Sequence, residues 1–272
     1  MCATTYALGH SSAEIQRLKN QGAMLRPITE RFLRSAGIDA AMRVLDLGCG
    51  AGDVSMIAAE LVGPAGFVVG IDRNQEVLDV ARKRAQEAGL QQISFVRASV
   101  EEFSVVDDPF DLVIGRYILI HQPEPVTLLR KAARLVRPGG ALAFHEVRMA
   151  SETKSIPHVP LWDLTSNLVR IALQLSVPNH DGADRLVGHF SEAGLPYPHL
   201  FCEEIVGGSA DSPLYRSLAE LLQTLQPQLE RMRITTAETI ATDGLESRLR
   251  DAVVEARSQV YGPAQVCAWA RL

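Results

Sequence analysis

The sequence predicts an α/β fold, a mostly parallel sheet with helices on both faces. Three observations predict it. From residue 42 onward, short apolar runs alternate with helical patterns, in the order strand, helix, strand, helix. The first run, Val44-Leu45-Asp46-Leu47, passes into glycines at 48, 50 and 52, and a helical pattern starts at Val54. The second run, Gly66-Phe67-Val68-Val69-Gly70-Ile71, ends in Asp72, twenty residues beyond Gly52.

The elements follow in order. Ser11-Ser12-Ala13-Glu14 has the form of a capping box, so a helix is expected through Ile15, Leu18, Gly22, Met24 and Leu25. Pro27 suits a helix start, which predicts a second helix through Ile28, Phe32 and Leu33, stopped by Gly37. Strand one is placed at 43–47, its helix at 53–62, a turn at Gly63-Pro64-Ala65-Gly66 and strand two at 67–71. Asn74 can cap a helix reaching Ala88, with Val77, Leu78, Ala81 and Ala85 on one face and Gly89 behind it. Strand three is Ile93–Arg97 and strand four Phe110–Ile114. Pro123 and Pro125 introduce a helix through Leu128, Leu129, Ala132 and Leu135, and Pro138-Gly139-Gly140 turns into strand five, Ala141–Val147. A loop marked by Pro157 and Pro160 then leads into a helix with two apolar stripes. One stripe is Leu161, Leu164, Leu168, Ala172 and Leu175; the other is Trp162, Val169 and Leu173. A helix apolar on two sides is buried on two sides, covers a cavity or faces a second copy. A helix from Asp184 to Gly194, a strand at 198–206, helices over 212–258 broken near Thr235-Thr236, and a last strand at 264–271 complete the chain.

Composition narrows the function classes. The 272 residues are 47% hydrophobic and 22% charged, enough for one buried α/β core with additions. A net charge of −5 with dispersed basic residues gives no electrostatic reason to expect nucleic acid as a partner. Cys2, Cys49, Cys202 and Cys267 show no metal-ligand or CxxC spacing, and the natural setting is reduced and cytoplasmic. No signal peptide is expected, since the first residues show no charged stretch followed by an apolar one, and no membrane partner, since no run reaches ~18 apolar residues. The expected partner is a small-molecule substrate, and a homodimer is left open. No metal site is predicted.

A glycine turn between strand and helix lets a ligand approach the backbone and offers it unpaired N–H groups. Dinucleotides and S-adenosylmethionine (SAM) both fit such a turn with an acid where Asp72 stands. The spacing separates them: the turn reads Gly48-x-Gly50-x-Gly52, whereas the dinucleotide fingerprint is G-x-G-x-x-G. Asp46 would repel a pyrophosphate and suits an ammonium group. Here Leu45-Asp46-Leu47-Gly48-Cys49-Gly50-Ala51-Gly52 resembles the first motif of the class I SAM-dependent methyltransferase family. The Arg-Pro-Gly-Gly turn from Arg137 to Gly140 also looks like that family, and the resemblance spans 43–147.

The resemblance implies a Rossmann-like class I methyltransferase fold over 1–272 as one domain. Its sheet has seven mostly parallel strands, the last inserted antiparallel between strands five and six. Residues 1–40 are the helical cover, 43–147 the SAM-binding core, 148–180 a substrate lid, and 181–272 the rest of the core with added helices. It implies that Asp46 and the backbone of Gly48, Cys49, Gly50 and Gly52 hold the methionine end of SAM. Asp72 would take the ribose hydroxyls, Arg73 would flank the adenine, and Ser99 with Val100 would face it. The family commonly has an acid where Ser99 stands. Arg116 is expected at the methionine carboxylate or the reacting centre, with Gln21 covering the cofactor. On the acceptor side His121, Glu146 and Tyr6 are the catalytic candidates, with Trp162, Asn167, Arg170 and His180 reaching down from the lid. Because adjacent strand residues face opposite sides, Glu146 rather than His145 is assigned to the pocket. The expected function is methyl transfer from SAM, leaving S-adenosyl-L-homocysteine, to a small, largely apolar or aromatic metabolite at O, N or C, of the natural-product type. The rivals are a SAM-binding protein without methyl transfer, of the cyclase kind, and an NAD-dependent oxidoreductase.

Overall fold

The structure is a computed structural model and describes residues 12–104, 108–151, 154–234 and 241–272. It opens with α1 (Ser12–Ser35), followed by β1 (Arg43–Leu47), α2 (Asp53–Val62), β2 (Phe67–Asp72), α3 (Gln75–Glu87), β3 (Ile93–Arg97) and β4 (Phe110–Arg116). Next come α4 (Pro125–Ala133), β5 (Val136–Val147), β6 (Ser155–Ile156), α5 (Pro160–Ser176), α6 (Leu186–Glu192), β7 (His199–Glu203) and β8 (Val206–Gly207). The chain closes with α7 (Pro213–Arg231), α8 (Leu245–Glu255), β9 (Gln259–Tyr261) and β10 (Gln265–Arg271).

The main sheet has seven strands in the order β3-β2-β1-β4-β5-β10-β7. β1 pairs in parallel with β2 and β4, whereas β10 runs antiparallel between β5 and β7. The order reverses between β2 and β4 on either side of β1, which puts the carboxyl end of β1 at the crevice where open α/β sheets bind ligands. Strand alternation sends side chains to two cores. Leu45, Val69, Val113, Leu142 and Phe144 meet α4 and α6 on one face. Val44, Val68, Leu112, Ala141 and Ala143 meet α1 and α2 on the other.

Pro27 does not open a second helix. It lies inside a single α1, although it has no N–H to give the turn behind it. The helix holds because Leu25, Ile28, Phe32 and Leu33, on both sides of the proline, are buried against α2. Asn74 does cap α3, its side chain accepting from Val77 N–H at 3.2 Å. β5 starts earlier than predicted, because Val136 already pairs with Phe110 before the irregular stretch at Arg137–Gly140. The break expected near Thr235 falls outside the described residues.

The larger departure concerns the last third of the chain. α5, α7, α8 and Val260 of β9 share a third core, with Trp162, Val169, Tyr215, Leu222, Leu249 and Val253 buried in it. A three-stranded sheet, β6-β9-β8, accompanies them. The segment 148–180, expected to act as a substrate lid, thus packs in one layer with α7 and α8. One predicted stripe of α5 is only half used: Leu164 and Leu175 stay exposed, while Leu168 and Ala172 are buried.

Candidate active site

Gly48, Gly50 and Gly52 all have positive φ, at 64°, 53° and 83°. A Cβ on Gly52 would stand 3.1 Å from Ala81 and Phe95, so the turn closes on α3 and β3 only without a side chain there. A Cβ on Gly50 would meet nothing within 4 Å. The turn thus packs below through Gly52 and is open above at Gly50. Cys49 between them is buried with Leu78, Ala81, Ala85 and Phe95. Burial pushes its thiol well above the ordinary range, so it is a packed spacer, not a nucleophile.

Asp46 is 1% exposed and accepts from the Ser55 hydroxyl at 2.6 Å. Burial raises its carboxyl to about 7, against the opposing pull of Ser55 and Arg116. A cation brought into the crevice would restore the carboxylate. Beside it Asp53, at the start of α2, pairs with Arg84 at 2.7 Å and Arg116 at 4.0 Å. Arg116 also donates to Thr29 of α1 at 3.2 Å. Gly22 of α1 lies directly over this cluster: a Cβ there would come within 2.4 Å of Asp53 Cγ. The glycine is what lets the helical cover close on the acid.

Asp72 at the end of β2 accepts from Gly50 N–H at 3.0 Å and Asn74 N–H at 2.9 Å, one bond to each oxygen. Each oxygen keeps a lone pair for a hydroxyl. Arg73 pairs with Glu101 at 2.9 Å across the neighbouring turn. The Ser99 hydroxyl accepts from Glu102 N–H at 3.2 Å, and Glu102 accepts from Ser99 N–H at 3.3 Å. The residue that replaces the family's acid thus caps its own turn and has one acceptor lone pair left.

These groups line one end of a single cavity of about 630 Å³. Asp46, the turn from Gly48 to Ala51, Asp72, Arg73, Ser99, Val100, Arg116 and Gln21 all border it. A small polar-ended cofactor fits this donor set: an acid without a cation partner in contact, open backbone at Gly50, and a carboxylate with spare lone pairs. The other end is apolar, closed by Met24, Ile120, Trp162, Val169, Leu173 and Leu221.

Between the two ends runs the segment after β4. Tyr117 has φ 56°, and its N–H bonds to the His145 carbonyl at 2.9 Å. Its hydroxyl donates to Gln265 Oε1 at 2.5 Å. His145 Nε2 lies 3.0 Å from that same oxygen, and His145 Nδ1 lies 3.4 Å from Thr29. Burial and Arg116 depress the imidazole to about 3, so it is neutral and structural. Glu146 points to the opposite face and is also fully buried. Its Oε1 accepts from Ile118 N–H at 3.1 Å and Leu119 N–H at 2.9 Å, and it does not border the cavity. Burial raises its carboxyl to about 8. The expectation that Glu146 faces the pocket is therefore corrected: alternation separates it from His145, but the face it takes is the underside of the turn. His121, three residues beyond Ile118, does border the cavity, and burial holds it neutral by lowering its value to about 4.

Of the lid candidates, Trp162 and Arg170 border the cavity, whereas Asn167 and His180 are exposed and do not. Asn167 instead accepts from Arg170 at 2.7 Å. Tyr6 lies outside the described residues. Sequence reasoning missed the α7 face Leu214, Ser217, Leu218 and Leu221, whose i, i+4, i+7 spacing was the available signal. It also missed Gln265, which carries no motif and is placed only by the pairing of β10 with β5.

Comparison with known proteins agrees with this geometry. Residues 38–183, over half of the chain, match a family model described as a methyltransferase domain. The demethylmenaquinone methyltransferase of Listeria monocytogenes serotype 4b (strain CLIP80459) is 30% identical over 178 residues, covering 59% of this chain and 72% of that one. The aklanonic acid methyltransferase of Streptomyces sp. (strain C5) is 36% identical over 140 residues, covering 52% and 63%. Among solved structures, a SAM-dependent methyltransferase from Aquifex aeolicus superposes with a TM-score of 0.54 at 19% identity, over 71% of this chain and 91% of that one, a likeness of fold. The chain belongs to the class I SAM-dependent methyltransferase family.

Proposed function

We propose that this methyltransferase transfers the methyl group of SAM to a nucleophilic O, N or C of a small, largely apolar or aromatic metabolite of the natural-product type. The observation that carries the reading is the single cavity, polar at the glycine turn and apolar under the α5–α7 cap. It is supported by relatives named for acting on demethylmenaquinone and aklanonic acid. Asp46 faces the ammonium group of SAM, the backbone of Gly48–Gly52 cradles the methionine end, and Arg116 approaches its carboxylate. Asp72 takes the ribose hydroxyls, Arg73, Ser99 and Val100 border the adenine, and Gln21 covers the cofactor from α1. SAM supplies a methyl group already activated by the sulfonium. The chain's own residues therefore orient the acceptor and exclude water. His121, neutral at its position beside the cavity, accepts a proton where the acceptor must lose one.

Calorimetric titration tests the cofactor half. SAM and S-adenosyl-L-homocysteine both bind the wild type on this reading; no affinity for either overturns it. The pH dependence has a stated sign. Asp46 must be ionised to hold an ammonium, so affinity falls below its value of about 7. It falls again once the ligand's α-amino group loses its proton, at about 7.7–8.0. The expected optimum lies between the two, and a flat profile from pH 5 to 8 would remove Asp46 from the ammonium site.

Screening phenolic and quinol acceptors tests the other half. For an acceptor that must be deprotonated, His121→Ala is expected to lower kcat about 100-fold with SAM affinity unchanged. Burial sets the titration of His121 near 4, so the acid limb of kcat should lie there, below the binding limb set by Asp46.

A further inference from the structure

Five arginines border the cavity: Arg17, Arg73, Arg116, Arg148 and Arg170. Among the described residues, four have a carboxylate within 4.0 Å, namely Glu14, Glu101, Asp53 and Asp184 in that order. Arg170 has none. Among the described residues its guanidinium is held only by neutral amide oxygens, Asn167 Oδ1 at 2.7 Å and Gln174 Oε1 at 3.0 Å. Those contacts orient the fork without cancelling its charge, and a guanidinium has five N–H donors, so some remain. Gln174 is tied in turn to the Met149 carbonyl at 3.4 Å. One helical turn before Arg170, Ser166 borders the same cavity at 3% exposure, and its hydroxyl has no protein partner among the described residues. Residues four apart lie on one face of a helix. An oriented, half-buried cation and a buried unpartnered hydroxyl thus both border the cavity, with Val169 and Leu173 of the same helix beside them. A guanidinium with no carboxylate partner keeps its charge and its remaining donors for an anionic oxygen.

We propose that Arg170, with Ser166 beside it, is a specificity-determining anion site, and that the acceptor carries an anionic oxygen group on its apolar body. A carboxylate and an ionised phenol share that chemistry. The proposal rests on reading this cavity as the acceptor site, and the experiment separates the two.

Two fluorescent probes that differ only in charge are titrated into the full chain: 1-anilinonaphthalene-8-sulfonate and its neutral parent N-phenyl-1-naphthylamine. A charge-assisted contact of this kind corresponds to roughly 10-fold or more in affinity. Arg170→Gln is expected to weaken the sulfonate about that much, on the order of 10-fold, and to leave the neutral probe unchanged. Arg170→Lys should keep most of the sulfonate affinity. Arg130→Gln, which removes the same charge outside the cavity, should change neither. Leu221→Trp, which fills the apolar end, should weaken both probes. SAM affinity, measured on each variant, reports that the fold is intact. Equal effects of Arg170→Gln on both probes, or none on the sulfonate, overturn the anion site while the cavity reading stands. Failure of the neutral probe to bind, or indifference of both probes to Leu221→Trp, overturns the cavity reading and the anion site with it. If those arms hold, carboxylate-bearing and phenolic acceptors, each compared with its amide or methyl ether, identify which oxygen group Arg170 meets.

Discussion

Asp72→Ala is expected to weaken SAM binding about 1,000-fold, as the loss of two charge-assisted hydrogen bonds at roughly 1.5–3 kcal/mol each would do. The substitution removes the acceptor proposed for the ribose hydroxyls. It also frees Gly50 N–H and Asn74 N–H, which the carboxylate now holds at 3.0 and 2.9 Å. The second effect loosens the turn itself, because Gly50 sits at a positive φ of 53° with open space on its Cβ side. Asp72→Asn separates the two. Its amide oxygen can still accept one of the backbone bonds, so the turn is partly kept while the charge is lost, and a smaller deficit of about 30-fold is expected. Calorimetry on both variants with SAM and S-adenosyl-L-homocysteine makes the check. Wild-type affinity in Asp72→Ala would show that the ribose is held elsewhere.

Glu146→Ala should be the most destabilising single substitution near the site. It strands the buried amides of Ile118 and Leu119, each costing roughly 1–3 kcal/mol when unpaired, so a loss of about 4 kcal/mol is expected. Glu146→Gln should cost less than about 1 kcal/mol at neutral pH, since its carbonyl accepts the same two bonds as the protonated acid does. The two variants distinguish a positioning residue from a base that works on the acceptor. Thermal unfolding across pH adds a second reading. The folded-state value of Glu146 is raised from 4.5 to about 8. The stability it contributes is therefore complete below the unfolded value and is lost as pH rises towards 8. The slope is about 1.4 kcal/mol per pH unit while the unfolded chain is ionised and the folded one is not. Asp46 adds a slope of the same sign over an overlapping range. The quantity to follow is thus the difference between wild type and Glu146→Gln, whose curve should lack Glu146's share. Identical pH curves, or equal stability of the alanine and glutamine variants, would mean that Glu146 does not hold the turn as described.

Much of this was readable in the chain itself. The spans of β1, α2, α3 and β3 follow from apolar runs bounded by glycine, proline and, for α3, the Asn74 cap, because those signals are local and act within a turn of backbone. The end of the cavity at the glycine turn was equally legible. Asp46, Gly48, Gly50, Gly52 and Asp72 lie at or next to strand ends, and a strand end that meets a glycine turn has one place to go in a parallel sheet. Where local rules compete with burial they failed. Pro27 was read as a helix start, but the apolar residues on its two sides are drawn into one layer against α2, and the helix runs through it.

The apolar end of the cavity could not be read in the same way, since its residues come from segments far apart in sequence. His121, Arg170, Leu221 and Gln265 border one cavity only because α5 and α7 share a core and β10 inserts beside β5. Glu146 shows the limit most plainly. The sequence determines that it alternates with His145 along β5. That neither borders the cavity is decided by packing: the turn after β4 folds over Glu146, where Ile118 and Leu119 need an acceptor for their buried amides, and Thr29 and Gln265 cover His145. The sequence by itself thus determined the sheet, the glycine turn and the acids beside that turn through short-range pattern. The cap, the underside position of Glu146 and the uncompensated charge of Arg170 were decided by tertiary packing, because burial and partner choice are properties of residues that meet only in the folded chain.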